Sequence, residues 1–440
     1  MPGNPFKELP YHRLVCQSAP MTSLRLFPAL LVVALFSTPL QAMDTTTAAN
    51  AINSLGIDLL AKTGNPDENA LLSPYSIQTA LAMTYAGADG KTRDEMAKVL
   101  YFPKDDAQLN GSFAALQKKL LDIEQSTAKL IADSKHGGPS EPITIEIADR
   151  LFGQQGCDFR KPFLDLIKDN YGAPLEALDF VKQADAARTH INTWVADQTH
   201  QRIMDLIPPY AITPDTRLVL VNAIYLKAPW ASEFKKNDIE PRPFHASGNK
   251  TNDVPTMSAQ HSFGYLKSDG YAAISLPYIG SDLEFLILLP DDVDGLPDLE
   301  KKLTPTMLAE CAKLYEKDIF LYMPKFKIAT PTMALADKLQ DLGMKSAFDI
   351  PKGSANFDRM APRKLDDCLC ISQVFHKTFL SLDENGTEAA AATAVVMMKT
   401  LAIEGNAWPL YVHIDHHFLF AIQHKQSGAC IFLGRVTNPN

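Results

Sequence analysis

Three apolar runs in the second half of the chain restrict its fold more than any other feature: TRLVLVNAIYLKAPW (Thr216–Trp230), DLEFLILLP (Asp282–Pro290) and DIFLYMPKFKI (Asp318–Ile328). Each is rich in branched and aromatic residues and long enough to be a central strand covered on both faces. The covering helices come from the first part of the chain. TTAANAINSLGIDLLAKT (Thr46–Thr63) has apolar residues at helical spacing. NALLSPYSIQTALAMTYAGA (Asn69–Ala88) reads as a short strand, broken at Ser73-Pro74, and then a helix. Helix-rich sequence runs on to about Ile131, and a polar loop is expected from Asp133 to Pro142. ITIEIADRLF (Ile143–Phe152) alternates as a strand does, while INTWVADQTHQRIMDLI (Ile191–Ile207) has helical periodicity and is expected to stop before Pro208-Pro209. FLFAI and ACIFLGRV close the chain as two strands around QSG. Helices early and strands late, without βαβ regularity, predict an α+β fold.

No repeat, linker or long charge run divides the chain, so residues 43–440 are expected to form one domain. A formal net charge of -9 excludes a nucleic-acid binder, which needs a basic stripe to displace phosphate counterions. Arg25, the apolar run LFPALLVVALF and the small residues up to Ala42 read as an N-terminal extension and signal peptide over residues 1–42, and hence as a protein secreted to an extracellular or periplasmic space. The apolar run is about half of the roughly 20 residues a membrane span requires, and no later stretch is long enough. Six cysteines, with Cys16 in the excluded segment, leave an odd number, which rules out a complete disulfide framework.

The most unusual segment is DENGTEAAAATAVVMMKT, from Asp383 to Thr400. Read locally, Thr387 and the alanines behind it look like a capped helix. The surrounding chain offers a different reading. HKTFLSLDENGTEAAAAT (His376–Thr393) resembles the hinge signature of the serpin family, with Asn385 where a second acidic residue is common. NALLSPYSIQTALAMTYAGADGKTRDEM, INTWVADQTHQRIMDLI, LVNAIYLKAPWASEF, ISLPYIG, MPKFKI, LADKLQDLGMKSAFD and GRVTNP are also similar to that family, in its order, from about residue 48 to the C-terminus. The resemblance implies a serpin fold with three β-sheets, the largest called A, about eight to nine helices, and an exposed reactive-centre loop over about 384–410. It implies an inhibitor that is not itself an enzyme, acting on a target serine protease as a suicide substrate through a covalent acyl-enzyme. The chain is read as a monomer and a bacterial-type member, with no cofactor and no metal. The hinge would comprise Glu384, Gly386, Thr387, Glu388, Ala389, Ala390, Ala391, Ala392 and Thr393. Trp230 would mark the breach where it enters sheet A, and Ser73, Ser76, Asn222 and His376 the shutter beneath the strands.

The hinge composition has a physical reason. Thr387, Ala389, Ala391 and Thr393 would point to one face of an inserted strand, into packed core, where bulk or unpaired charge is costly. Glu388 would point outward and stay solvated, and Gly386 would free the pivot. Counting from Glu384 by the family's spacing places the cut at Thr400-Leu401, with Lys399-Thr400 as the alternative. Thr400 suits an enzyme with a small primary pocket, Lys399 one with a buried acid. A non-inhibitory binding or chaperone-like member of the same fold is the competing reading. Two further features stand apart. HIDHH (His413–His417) has the residue types of a metal cluster, but the resemblance makes it strand. Asn385-Gly386-Thr387 is a formal glycosylation sequon; a glycan there would obstruct insertion, implying a compartment that leaves it bare, such as a bacterial envelope.

Overall fold

Ser73 ends one element and begins the next. Its hydroxyl accepts the Ser76 N–H at 3.2 Å, and Pro74, which has no N–H to leave unpaired, takes the first turn of the following helix. The computed structural model describes residues 44–134, 139, 141–246, 250–363, 369–388 and 408–440, all within the unit Met43–Asn440. Among them are nine α-helices: α1 (Thr46–Ala61), α2 (Pro74–Gly87), α3 (Gly90–Val99), α4 (Asp106–Asp133), α5 (Lys161–Tyr171), α6 (Phe180–Gln198), α7 (Leu296–Lys302), α8 (Pro305–Cys311) and α9 (Ala336–Leu342). The strands run β1 (Ala70–Leu72), β2 (Thr144–Gln154), β3 (Glu176–Leu178), β4 (Leu218–Pro229), β5 (Glu240–Ala246), β6 (Lys250–Ser268), β7 (Tyr271–Pro277) and β8 (Leu283–Pro290). They continue as β9 (Glu316–Pro324), β10 (Phe326–Ala329), β11 (Met333–Ala334), β12 (Ile371–Asp383), β13 (Gly386–Thr387), β14 (Leu410–His413), β15 (Phe418–His424) and β16 (Ala429–Val436). The class is α+β.

The large sheet has seven strands, β10-β12-β13-β4-β2-β3 with β11 also on β12. At its centre β4 is buried along almost its whole length, and β12 runs parallel to it from Ile371 to Thr378. The other two sheets share a strand. Residues 250–264 of β6 pair with β5 and β9, and Gly264–Ser268 pair with β7, so β5, β9 and β14 join continuously to β7, β8, β15, β16 and β1. Helix α2, buried on nearly every side, lies in the core and contacts β2, β4 and β16. Helix α1 packs on its start so closely that a side chain at Gly56 would meet the Pro74 ring at 2.6 Å.

Two expected elements differ. The helix over Ile191–Ile207 ends at Gln198, and His200, Gln201 and Asp205 take positive φ. Ile203, Leu206 and Ile207 are still buried, against the face of β4 and β2 that α6 covers. Asn192 ties this loop down, donating to the Ile207 carbonyl and accepting the Ile207 N–H at 2.9 and 2.8 Å. Apolar spacing there reports burial of an irregular segment, not a helix. Gln201, at φ 60, takes the left-handed conformation that glycine adopts most readily. The run Asp318–Ile328 is also not one doubly buried strand. It is broken between β9 and β10, and β9 alternates because one face of its sheet lies on the core and the other is open to water.

Candidate functional site

Beyond Thr378 the central strands part. The residues assigned to the hinge lie in the gap: Thr387 is the register partner of Leu382 on β12 and of Ala228 on β4, and Gly386 that of Asp383 and Pro229. β13 is antiparallel to both neighbours, so the chain from Asp383 turns back through Glu384 and Asn385 and enters the sheet between two parallel strands. Asn385 makes the turn, its N–H donating to the Asp383 carboxylate at 2.8 Å. Gly386 has φ +145, and any side chain there would come within 2.2 Å of the Ala228 carbonyl oxygen. Only glycine fits, both for its φ and for the close approach.

Trp230 holds this turn from β4's end. Its indole N–H donates to the Asp383 carbonyl at 2.9 Å, its backbone N–H to the Asn385 carbonyl at 3.0 Å, and Phe234 N–H donates to the Glu384 carbonyl at 3.0 Å. Lys325 Nζ donates to Glu384 at 2.5 Å. Burial alone would raise the Glu384 carboxyl, but this ammonium brings it below its ordinary value. Trp230 stacks on Tyr278 with ring centroids 4.7 Å apart, and the Tyr278 hydroxyl lies 2.5 Å from the Thr387 hydroxyl. Both residues are fully buried, and burial pushes the phenol far above its ordinary value, so it is neutral.

Glu388 departs from expectation. It is largely covered rather than solvated, and it forms an ion pair with Arg202, whose guanidinium also faces the Phe379 ring at 5.9 Å. Burial raises its carboxyl despite that partner. The physical reason is the irregular segment after α6, which lays Arg202 across the sheet face where Glu388 emerges. Thr387 is in a strand, so the capped-helix reading of its position does not hold. Ala389, Ala390, Ala391, Ala392, Thr393, Lys399, Thr400 and Leu401 lie outside the described residues. Within the sequon Gly386 and Thr387 are buried and Asn385 is half-buried.

Deeper in the sheet, the four residues assigned to the shutter do come together, with a fifth that sequence reasoning missed. Asp149, Asn222 and His376 are successive register partners across β2, β4 and β12. Ser73 N–H donates to His376 Nε2 at 3.1 Å, which puts the ring proton on Nδ1, facing Asn222 Oδ1. Ser76 Oγ donates to Asp149 at 2.6 Å, and Ser73 Oγ donates to the Ile431 carbonyl at 2.7 Å. Full burial raises Asp149 well above the usual carboxylate range, and Ser76 only partly offsets it. The same burial holds His376 down to about 3. His376 is therefore neutral, and its bonds with Ser73 and Asn222 can be exchanged without moving a charge through apolar core.

The sign of the resulting pH dependence follows from His376. Above pH ~6.5 it is neutral in both folded and unfolded chain and contributes nothing. Below that, only the unfolded chain takes up the proton, so stability falls by up to ~1.4 kcal/mol per pH unit until the folded value is reached. Unfolding in urea of wild type and His376→Gln should give a stability difference that shrinks by about 2 kcal/mol between pH 7 and pH 5. Asp149 is common to both proteins and cancels. A difference that stays constant with pH would rule out a buried neutral imidazole.

HIDHH is not assembled as a metal centre. His416 is held by Asp415 at 2.8 Å and by the Pro290 carbonyl at 2.9 Å, and His413 stacks on Tyr322. Among the described residues no group of three or more His, Cys, Asp or Glu is placed to hold a metal ion.

Residues 50–439 match the model of a family described as serpin (serine protease inhibitor). The chain is 37% identical over 403 residues to Serpin B6 of Macaca fascicularis, covering 90% of this chain and 100% of that one. It is 33% identical over 406 residues to the leukocyte elastase inhibitor of Bos taurus, covering 90% and 100%. In three dimensions it is similar to native Tengpin, a thermophilic serpin, with a TM-score of 0.75, 27% identity and 89% and 94% coverage. Serpin B6 and the leukocyte elastase inhibitor are intracellular members, which overturns the extracellular or periplasmic placement and leaves the signal-peptide reading of residues 1–42 without support. Both are mammalian, and neither supports a bacterial-type assignment.

Proposed function

This chain belongs to the serpin family and is a protease inhibitor rather than an enzyme, and we propose that it acts as a monomeric suicide substrate that traps a serine protease as a covalent acyl-enzyme. The protease cuts the reactive-centre loop, over about 384–410, at Thr400-Leu401 or alternatively at Lys399-Thr400. The freed strand then continues the path that Gly386 and Thr387 have begun, separating β12 from β4 down to the polar cluster of Ser73, Ser76, Asn222 and His376.

One observation supports this reading above the rest: Thr387 already occupies the gap between β12 and β4, with its side chain in the core. Its parity sets the inward positions of a longer insert at Ala389, Ala391 and Thr393, all small. The ion pair of Glu388 with Arg202 lies on the opposite, outer face, where it can shift as the strand advances. Incubation with trypsin, chymotrypsin, elastase and subtilisin, followed by a denaturing gel, should give a band at the summed mass with at least one of them. Clipping by every enzyme with no such band would sink inhibition by trapping and favour a non-inhibitory binding role. Mass spectrometry of the released C-terminal peptide identifies the bond.

A further inference from the structure

The outer face of β9 and β14 carries a platform, a row of aromatic rings half-buried on β9 and exposed at Tyr411. Tyr411 stacks on Phe320 with centroids 5.5 Å apart and planes at 16°. Phe320 adjoins Tyr322 at 5.1 Å, and Tyr322 stacks on His413 at 4.5 Å and 9°. Arg242, on β5, closes the row at 4.0 Å over the Tyr322 ring. Just before β14, Trp408 is 88% exposed, and Tyr411 is 55% exposed. Rings held by one another in this way have lost their rotamer freedom before any partner arrives, which lowers the entropic cost of binding. Trp, Tyr and Arg are also the residues that dominate interface energetics, and an apolar face left open to water marks an interaction site.

We propose that this platform is a second contact surface for the target protease, gripping an apolar side chain on the enzyme's flank beside its active-site cleft. The inference rests on the reading of the chain as a protease trap with its cut at Thr400-Leu401. The occupant follows from chain length. Trp408 lies seven residues beyond Leu401 and Leu410, the first residue of β14, nine, so they are at most about 25 and 32 Å along the chain from the cut bond. A protease domain of about 230 residues has a radius of gyration near 17 Å and is therefore about 45 Å across. An enzyme seated on the bond extends about 22 Å to each side and reaches the first residues of β14 wherever the connecting chain is not fully extended. The platform thus continues the surface that the bait loop presents, and would set which enzymes associate fast, independently of the residue before the cut.

The test is the double variant W408S/Y411S, both positions being exposed. Against each protease that the wild type traps, the second-order rate constant of inhibition should fall about tenfold or more for at least one, while stoichiometry, yield of covalent complex and melting temperature stay unchanged. Unchanged rates against every trapped enzyme would overturn the proposal. A parallel arm separates it from the trapping reading: titration with proteases whose active-site serine is replaced by alanine, which bind without chemistry. There the variant should bind about tenfold more weakly even if no covalent complex ever forms, and equal affinity would again overturn the proposal. Sedimentation of the wild type as a dimer that the variant dissolves would assign the platform to a second copy of this chain and overturn it too.

Discussion

Replacing Thr387 by arginine is expected to leave the bait loop cleavable but to abolish the covalent complex. Thr387 is fully buried between β12 and β4, and its hydroxyl meets only a neutral phenol, that of Tyr278, already stacked on Trp230. A guanidinium at that position would have to leave water for a site built around a hydroxyl. Burying an unpaired charge costs about 3–5 kcal/mol. Folding need not suffer, because the uncut chain can keep the introduced guanidinium in solvent at the loss of a two-residue pairing with each neighbour. Insertion does suffer, because the first inward position must be filled before any later one. A barrier raised by about 3 kcal/mol slows insertion roughly a hundredfold, and the acyl-enzyme then hydrolyses before it is trapped. The stoichiometry of inhibition should therefore rise by about two orders of magnitude, with a clipped band replacing the complex on denaturing gels. Thr387→Ser, which keeps the hydroxyl and the small volume, should trap as the wild type does. An arginine variant that still forms complex at the wild-type yield would show that Thr387 is not the leading inserted residue.

Much of this arrangement was legible in the order of residues, for identifiable reasons. The helices α1 and α2 and the buried strands β4 and β8 declare themselves because each is covered by its own local pattern, period 3.6 or an unbroken apolar run. Residues whose role depends on three-dimensional adjacency did not. Asp149 carries a faint signal, a carboxylate in the middle of an alternating strand, yet its partnership with Ser76 and its place in the row with Asn222 and His376 follow only from register. Tyr278, Lys325 and Arg202 fall within segments that resemble the family, yet nothing local assigns them a role: they become part of the hinge site because β7, the β9–β10 junction and the loop after α6 converge there. That loop reads as helix from the spacing of Ile203, Leu206 and Ile207, but the anchor that Asn192 places on Ile207 is a matter of three-dimensional adjacency. The half-buried character of β9, and the aromatic row on its outer face, likewise depend on what covers the sheet rather than on the run itself.

Cleavage of the loop is expected to raise the thermal midpoint of the protein by roughly ten degrees or more, and the sheet shows where the energy comes from. In the uncut molecule β12 and β4 are parallel partners over Ile371–Thr378 and Leu218–Ile224, while β13 contributes a two-residue pairing on each side. β13 already runs antiparallel to both. Extending it as a strand from Thr387 towards Thr400 replaces one parallel ladder with two antiparallel ones, so the sheet gains a net ladder of about the insert's length as well as the slightly stronger pairing type. About ten added hydrogen bonds at a net ~1 kcal/mol each, together with the buried faces of Ala389, Ala391 and Thr393, come to order 10 kcal/mol. An unfolding entropy of ~2.1 cal/mol/K per residue gives ~0.8 kcal/mol/K for about 400 residues, so this energy corresponds to a shift of about 12 °C. The uncut state must then be held by a barrier rather than by its depth. The obstacles visible at that barrier are the parallel ladder itself and the Ser73–His376–Asn222 bonds beneath it. Calorimetry before and after clipping by a non-target protease measures the shift directly. A rise of less than about 5 °C would mean that the severed strand stays outside the sheet, and trapping by insertion would fail even though the fold stands.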